Sequence, residues 1–364
     1  MKLSSLERVQ NTLNKKSVDR IPAMISPWPE TILRWRNEGH IGQDEDVFEH
    51  FDADIRFAGI LLNSVADLDH KDIIIEENEN TVVKLDGNGA KLRWHKTHTT
   101  TPEHIDFAAK DREGWLEKIK PHLLDLDRRR IPFEDYRLNR KTAREKNRFF
   151  CWRGMAPFEQ ITRVCGHEHF LMGMALDPEW CKDVALTYAH FTINHMETLF
   201  AEEGLPDGIF FYEDMGYKGK PFMSPTMYRE ILQPGHKLLF DYAHSIGCKV
   251  IVHSCGFVEP LVPGLIQAGM NCLQAMEVKA GMDLPGLFDK YGTKIAFFGG
   301  IDVRTLISND PNEIVQELIN KMLPVVSKGG SYILHSDHSE PPQIDYQTMV
   351  FFLKKGREIG LGAN

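Results

Sequence analysis

Four consecutive residues, His253-Ser254-Cys255-Gly256, carry the sharpest chemical signal in the sequence. They follow Lys249 to Val252, an apolar run that reads as a strand. Residues two apart at a strand end face the same side. An imidazole and a thiol therefore converge there, and both are good ligands for Zn2+. A protein zinc site draws on roughly three or four side chains, so another strand end must contribute. Asp337 and His338 after the last apolar run, Glu213 after the fourth and Glu277 after the sixth are the candidates. The competing reading makes His253 a structural hydrogen-bonding residue and Cys255 a buried filler.

Other strand ends are equally rich. Glu213-Asp214 present two carboxylates to opposite sides, one of which could act as ligand or general base. The alternative is a helix-start carboxylate or an ion pair. Glu277 either faces a pocket or pairs with Lys279. Arg153, Tyr212, Glu277 and Met215 are the candidate substrate contacts. Tyr217, Phe222 and Met223 could line an apolar wall for an aromatic substrate, or simply pack. Asp302 reads as a helix N-cap behind the Gly299-Gly300 turn.

The elements that must position these residues repeat eight times. Short apolar runs span Ile21 to Ile25, Ala53 to Ala58, Phe149 to Trp152, Gly208 to Tyr212, Lys249 to Val252, Cys272 to Met276, Lys294 to Phe298 and Ser331 to Leu334. Such runs suit strands buried on both faces, and the intervening segments have helical periodicity. The alternation predicts an α/β fold, a (β/α)8 TIM barrel forming one domain over residues 1–364. Active sites of that fold lie at the C-terminal ends of the strands. An open doubly wound sheet is the alternative, weakened by the absence of GxGxxG after the first run.

An insertion at about 62–147 interrupts the repeat after the second strand. Its middle, DIIIEENENTVVKLDGNGAKLRWHKT, predicts a β-hairpin excursion of two or three strands, with turns at Glu79-Asn80 and Asp86-Gly87-Asn88-Gly89. Asp111 to Arg144 is charged and helical, and Asp125 to Arg130 reads as a solvated helix face. The insertion could shape the barrel mouth as a lid or form a homodimer contact.

Composition narrows the classes. The 364 residues are 42% hydrophobic and 26% charged, ordinary for a globular chain. A net charge of −9 argues against nucleic-acid binding. No apolar run approaches the ~18 residues of a membrane span. The N-terminal MKLSSLERVQNTLNKK lacks the apolar core of a secretory leader, so a cytoplasmic location is expected. Six irregularly spaced cysteines with no CxxC fit a reduced compartment.

Taken together, several motifs resemble the uroporphyrinogen decarboxylase superfamily. They are Arg8 to Pro22 with Asp19-Arg20-Ile21-Pro22, Glu213-Asp214-Met215-Gly216, Phe222 to Glu230, His253-Ser254-Cys255-Gly256, Leu273 to Asp283, Phe297 to Asp302, and Ser336-Asp337-His338-Ser339 before Pro341-Pro342. The resemblance covers the chain outside the insertion and implies a (β/α)8 barrel. True decarboxylases of the superfamily bind a tetrapyrrole through arginines after the first strand and an aspartate near the end of the second. Here Ser26-Pro27-Trp28-Pro29 and Gly59 occupy those places, which disfavours porphyrinogen decarboxylation.

The cobalamin-dependent methyltransferases of the superfamily are the better match. Those acting on thiols hold zinc through His-x-Cys after the fifth strand and a cysteine on the last. His253 and Cys255 match the first two; the third position looks like Asp337. A His/Cys/carboxylate site should be the stronger Lewis acid, suited to polarising an ether oxygen. The resemblance thus implies a zinc-dependent methyltransferase. It would move a methyl group between a small methylated donor, such as a methoxylated aromatic, and a corrinoid (cobalamin) carried by a partner protein. His253, Cys255 and Asp337 would hold the metal, and His338 or Glu213 would supply a proton. The alternatives are a metal-free lyase acting on a small carboxylic acid and a non-catalytic barrel that binds the corrinoid protein.

Overall fold

The computed structural model describes residues 2–97 and 102–362. The first strands in chain order are β1 (Ile55–Phe57), β2 (Ile73–Glu77), β3 (Thr81–Leu85), β4 (Lys91–His95), β5 (Glu103–Asp106), β6 (Phe149–Met155) and β7 (Gly208–Tyr212). They are followed by β8 (Gly216–Tyr217), β9 (Lys220–Pro221), β10 (Lys249–Ser254), β11 (Cys272–Ala275), β12 (Ala296–Gly299) and β13 (Tyr332–Ile333). Seven of these form one curled parallel sheet in the order β1-β6-β7-β10-β11-β12-β13, with helices between successive strands.

The first predicted strand, Ile21 to Ile25, is reduced to a single bridge. Ala23 pairs in parallel with Leu334 beyond β13, and the Asp54 amide donates to the Ala23 carbonyl at 2.8 Å. These contacts lay the segment between the two edges of the sheet. Pro22 has no N–H and Pro27 follows closely, so the ladder stays short. Below, the buried Asp54 carboxylate accepts from Arg8 Nη1 and Arg20 Nη1 at 2.7 Å each and from the Ala23 amide at 2.8 Å, anchoring the N-terminus.

Alternation along the strands produces two cores. Ile55, Cys151, Phe210, Ile251, Cys272, Ala296, Phe298 and Ile333 fill the inside of the curled sheet. Ile209, Phe211, Val250, Val252, Leu273 and Phe297 face the helices. Extending the inner set by one step on each strand reaches Arg153, Tyr212, His253, Gln274 and His335. The inside of the sheet therefore turns polar at its C-terminal end.

Between β1 and β6 the chain forms a separate antiparallel sheet in the order β2-β3-β4-β5, four strands where the sequence suggested two or three. Asp86 makes the central turn, its Oδ1 accepting from the amides of Asn88 and Ala90 at 2.9 Å each. Arg130, expected on a solvated face, is instead buried. Its guanidinium donates to the carbonyls of Asn63, Ala66 and His122 at 3.0–3.1 Å and also to that of Val65, fastening the insertion to itself. The six cysteines are unpaired; five are buried and Cys255 is half-buried. Among the described residues no helix is long and apolar enough to cross a membrane.

Candidate functional site

The register between β10 and β11 places His253 opposite Gln274. His253 Nδ1 hydrogen-bonds Gln274 Oε1. An amide oxygen only accepts, so Nδ1 carries the proton and Nε2 keeps its lone pair. That lone pair faces two other ligating atoms, Cys255 Sγ at 3.4 Å and Asp214 Oδ1 at 3.4 Å. Asp214, His253 and Cys255 are half-buried, and their ligating atoms all lie within 4.8 Å of one another. Nitrogen, sulfur and oxygen atoms thus face one another in a partly desolvated site, a grouping that could hold a metal ion. Burial and the carboxylates of Asp214, Glu277 and Asp337 push the Cys255 thiol well up.

Two loops cross to build this group. The loop after β7 brings Asp214 beside the end of β10, where the Cys255 amide donates to Asp214 Oδ1 at 2.8 Å. The Met215 amide donates to Ser254 Oγ at 3.1 Å. The crossing is so close that a Cβ on Gly256, whose φ is +79°, would lie 2.1 Å from the Gly216 carbonyl carbon. Only glycine fits there.

Among the described residues the third member of the group is Asp214; Asp337, expected there from sequence, lies outside it. Asp337 is buried, and its two oxygens accept from the amides of Val278 and Val303 at 2.7 and 2.8 Å. Burial pushes its pKa up to about 6. It staples the exits of β11 and β12 together.

Glu213 is likewise fully buried. Its carboxylate accepts from the amides of Phe158 and Glu159 at 3.0 Å each, at the start of the helix Pro157–Thr162, and pairs with His236, which in turn contacts Tyr228. It has no surface from which to exchange a proton with a substrate. Met215 is also buried and is not among the residues lining the cavity beside Asp214 and Cys255. His338 is half-buried on the loop after β13, beside His335 and Glu340 rather than in the Asp214 group. Burial, with His253 and His338 nearby, pushes His335 down to about 4, and its Nε2 lies 2.7 Å from Ser26 Oγ.

Arg153 Nη1 donates to the Tyr212 hydroxyl at 3.2 Å, and Nη2 donates to the Gly59 carbonyl. The Tyr212 ring stands edge-on to His253, centroids 5.4 Å apart. Both residues therefore brace the polar layer beneath the group. Glu277 accepts from the Gly256 amide at 2.7 Å, fixing the turn after Cys255, and lies 3.3 Å from Lys279 Nζ.

A cavity of about 1180 Å³ opens beside Asp214 and Cys255. Glu277, Lys279 and Phe222 from the barrel loops line it, and the insertion adds Asp86, Leu92, Trp94 and His104. Glu159, which sequence reasoning passed over, also faces it. Burial and the neighbouring Asp214 carboxylate push Glu159 up to about 7. The signal was weak: Glu159 lies seven residues past the end of the third predicted strand, in the first turn of the helix that follows it. Strand parity favoured Asp214, because Phe210 and Tyr212 of the same strand face inward.

Residues 150–359 match the sequence profile of uroporphyrinogen decarboxylase (URO-D). No curated protein matches the chain. Among solved structures, a "methyltransferase from Methanosarcina mazei" superposes with a TM-score of 0.66 at 15% identity, covering 98% of this chain and 99% of its own; that likeness shows the shared fold. A Xaa-Pro dipeptidase with bound methionine aligns at a TM-score of 0.30 and 11% identity over 64% of this chain and 68% of its own.

Proposed function

Since the chain belongs to the uroporphyrinogen decarboxylase family, we propose that it is a methyltransferase of that superfamily, acting on a small methylated donor such as a methoxylated aromatic. The methyl acceptor is the corrinoid of a separate cytoplasmic protein. Residues 21–25, read as an eighth strand, close the sheet into a (β/α)8 barrel. The observation that carries the reading is the convergence of Asp214, His253 and Cys255 on one point. The structural relative named as a methyltransferase agrees with it.

Nitrogen, thiolate sulfur and carboxylate oxygen are the donor set of zinc. When bound there, Zn2+ supplies Lewis acidity that makes an ether oxygen a better leaving group. The protein's own residues do the rest. Gln274 holds His253 Nε2 outward, and the Cys255 amide orients the Asp214 carboxylate. Glu159 retains a proton up to about pH 7 and faces the same cavity. As the methyl carbon passes to the acceptor, the oxygen keeps the bonding electron pair and takes that proton.

The place of the decarboxylase aspartate holds no side chain that could meet pyrrole N–H groups. Gly59 occupies it, its amide donating to Asp135 Oδ2 at 2.7 Å, and a Cβ there would meet Asp135 Oδ1 at 2.5 Å. Methyl transfer from methoxylated aromatics to Co(I) cobalamin, followed by the visible spectrum, tests the proposal. Donor-dependent loss of Co(I) absorbance is expected. Failure of every methyl donor, or release of CO2 from a carboxylic acid, would overturn it.

A further inference from the structure

We propose that the space between the insertion and the helix Pro157–Thr162 is a subsite for an aromatic ring carrying a carboxylate, with the carboxylate held by Arg163. For the chemistry at the opposite end of such a ligand, the inference rests on the methyltransferase reading. Binding of the ring does not depend on it.

The walls of this part of the cavity are ring systems. Trp94 on β4 and His104 on β5 come from the insertion, and Tyr217, Phe222 and His167 come from the barrel side. Tyr217 and Phe222 lie 5.9 Å apart and Phe222 and His167 4.9 Å, both pairs tilted, so the three rings make one continuous aromatic wall. Trp94 and Tyr217 are 41% and 60% exposed, so much of each ring is open to a ligand in the cavity.

Arg163 lines the same space and is short of countercharge. Among the described residues its ion pair is with Glu159, at 3.4 Å, and its side chain is 54% exposed. At 3.4 Å that contact is long, and it engages one guanidinium nitrogen, Nη2. Arg163 also lies close enough to His104 to add to the effect of burial in pushing that imidazole down. A planar guanidinium with free donors beside a neutral imidazole is a receptor for a carboxylate.

Arg163, Glu159, Asp214 and Cys255 line one cavity, with Arg163 paired to Glu159. A benzene ring with substituents at opposite ends would lie there with its ether oxygen towards Asp214 and Cys255 and its carboxylate towards Arg163. The substrate class is then methoxylated aromatic acids.

Calorimetric titration of the full-length protein with 4-methoxybenzoate, methoxybenzene and cyclohexanecarboxylate tests this, with zinc measured on the same sample. 4-Methoxybenzoate should bind with one-to-one stoichiometry, and each of the other two at least about tenfold more weakly. Arg163→Met should weaken 4-methoxybenzoate about tenfold and leave methoxybenzene unchanged. Trp94→Ala should weaken both aromatic ligands. No binding of 4-methoxybenzoate, equal binding of cyclohexanecarboxylate, or indifference to Arg163→Met overturns the subsite. Ring binding by a protein that takes up no zinc keeps the subsite and sinks the zinc-dependent reading. Full zinc without ring binding does the reverse.

Discussion

His253 and Gln274 face each other across the β10–β11 ladder, and the hydrogen bond between them points His253 Nε2 at Cys255 and Asp214. An amide carbonyl in this place does what a carboxylate or backbone oxygen does behind many metal-binding histidines: it fixes the tautomer and the ring plane. Gln274→Leu should lower zinc affinity by about 10–100-fold with the fold intact, and Gln274→Glu should restore most of it. Competition with a chromophoric chelator reads this directly. Unchanged affinity in Gln274→Leu would leave the bond without a role in metal binding.

Asp214 and Asp337 should separate cleanly. Asp214→Asn removes the carboxylate of the group and should deplete zinc with little change in melting temperature, since its side chain is 43% exposed. Asp337→Asn should keep zinc but lose about 1–3 kcal/mol of stability, because one buried backbone amide loses its acceptor. Metal analysis and thermal denaturation on the two variants check this. Zinc loss in Asp337→Asn alone would reverse the assignment.

The loop crossing makes a third prediction. Gly256→Ala combines an unfavourable φ with a collision against the Gly216 backbone, and should cost more than about 1 kcal/mol and disturb Cys255. Gly219→Ala is the control: its φ is +74° but nothing lies within 4 Å, so only the backbone cost of about 1 kcal/mol remains. Equal melting temperatures for the two variants would contradict the crossing.

Buried carboxyls set a pH dependence. Burial pushes Glu340 up to about 7 from its ordinary 4.5, although the Ser336 hydroxyl and Ser26 amide donate to it. The folded state thus binds this proton more tightly than the unfolded chain. The contribution to stability is full below pH 4.5 and is lost as pH rises through 7. Asp337 and Glu159 have the same sign. Melting temperature followed over this range should decline less steeply in Glu340→Gln than in the parent. An identical slope would rule out Glu340 as a source.

The strand–helix alternation and the His-x-Cys turn were legible because both are local: a period of two and a fixed offset survive in one dimension. The choice between Asp214 and Asp337 was not. Both carboxylates follow strands, but the amides of Val278 and Val303, distant in sequence, capture Asp337, whereas the loop crossing at Gly216 and Gly256 delivers Asp214. Glu213 takes the helix-start and ion-pair alternative for a related reason, since the start of the helix Pro157–Thr162 and His236 claim it from outside the sheet. Arg130 looked solvated within its charged run, yet unpaired carbonyls of the insertion bury it. Ile21 to Ile25 had the composition of a strand, but its neighbouring prolines limit it to one bridge.

X-ray absorption at the zinc edge on the purified full-length protein is the most direct measurement. One zinc per chain with a single sulfur neighbour and the remainder nitrogen or oxygen, reduced to sulfur-free or absent zinc in Cys255→Ser, is the expected result. A zinc-free protein after purification with added metal, or a bound zinc whose spectrum is unchanged in Cys255→Ser, would contradict a metal centre at Asp214, His253 and Cys255.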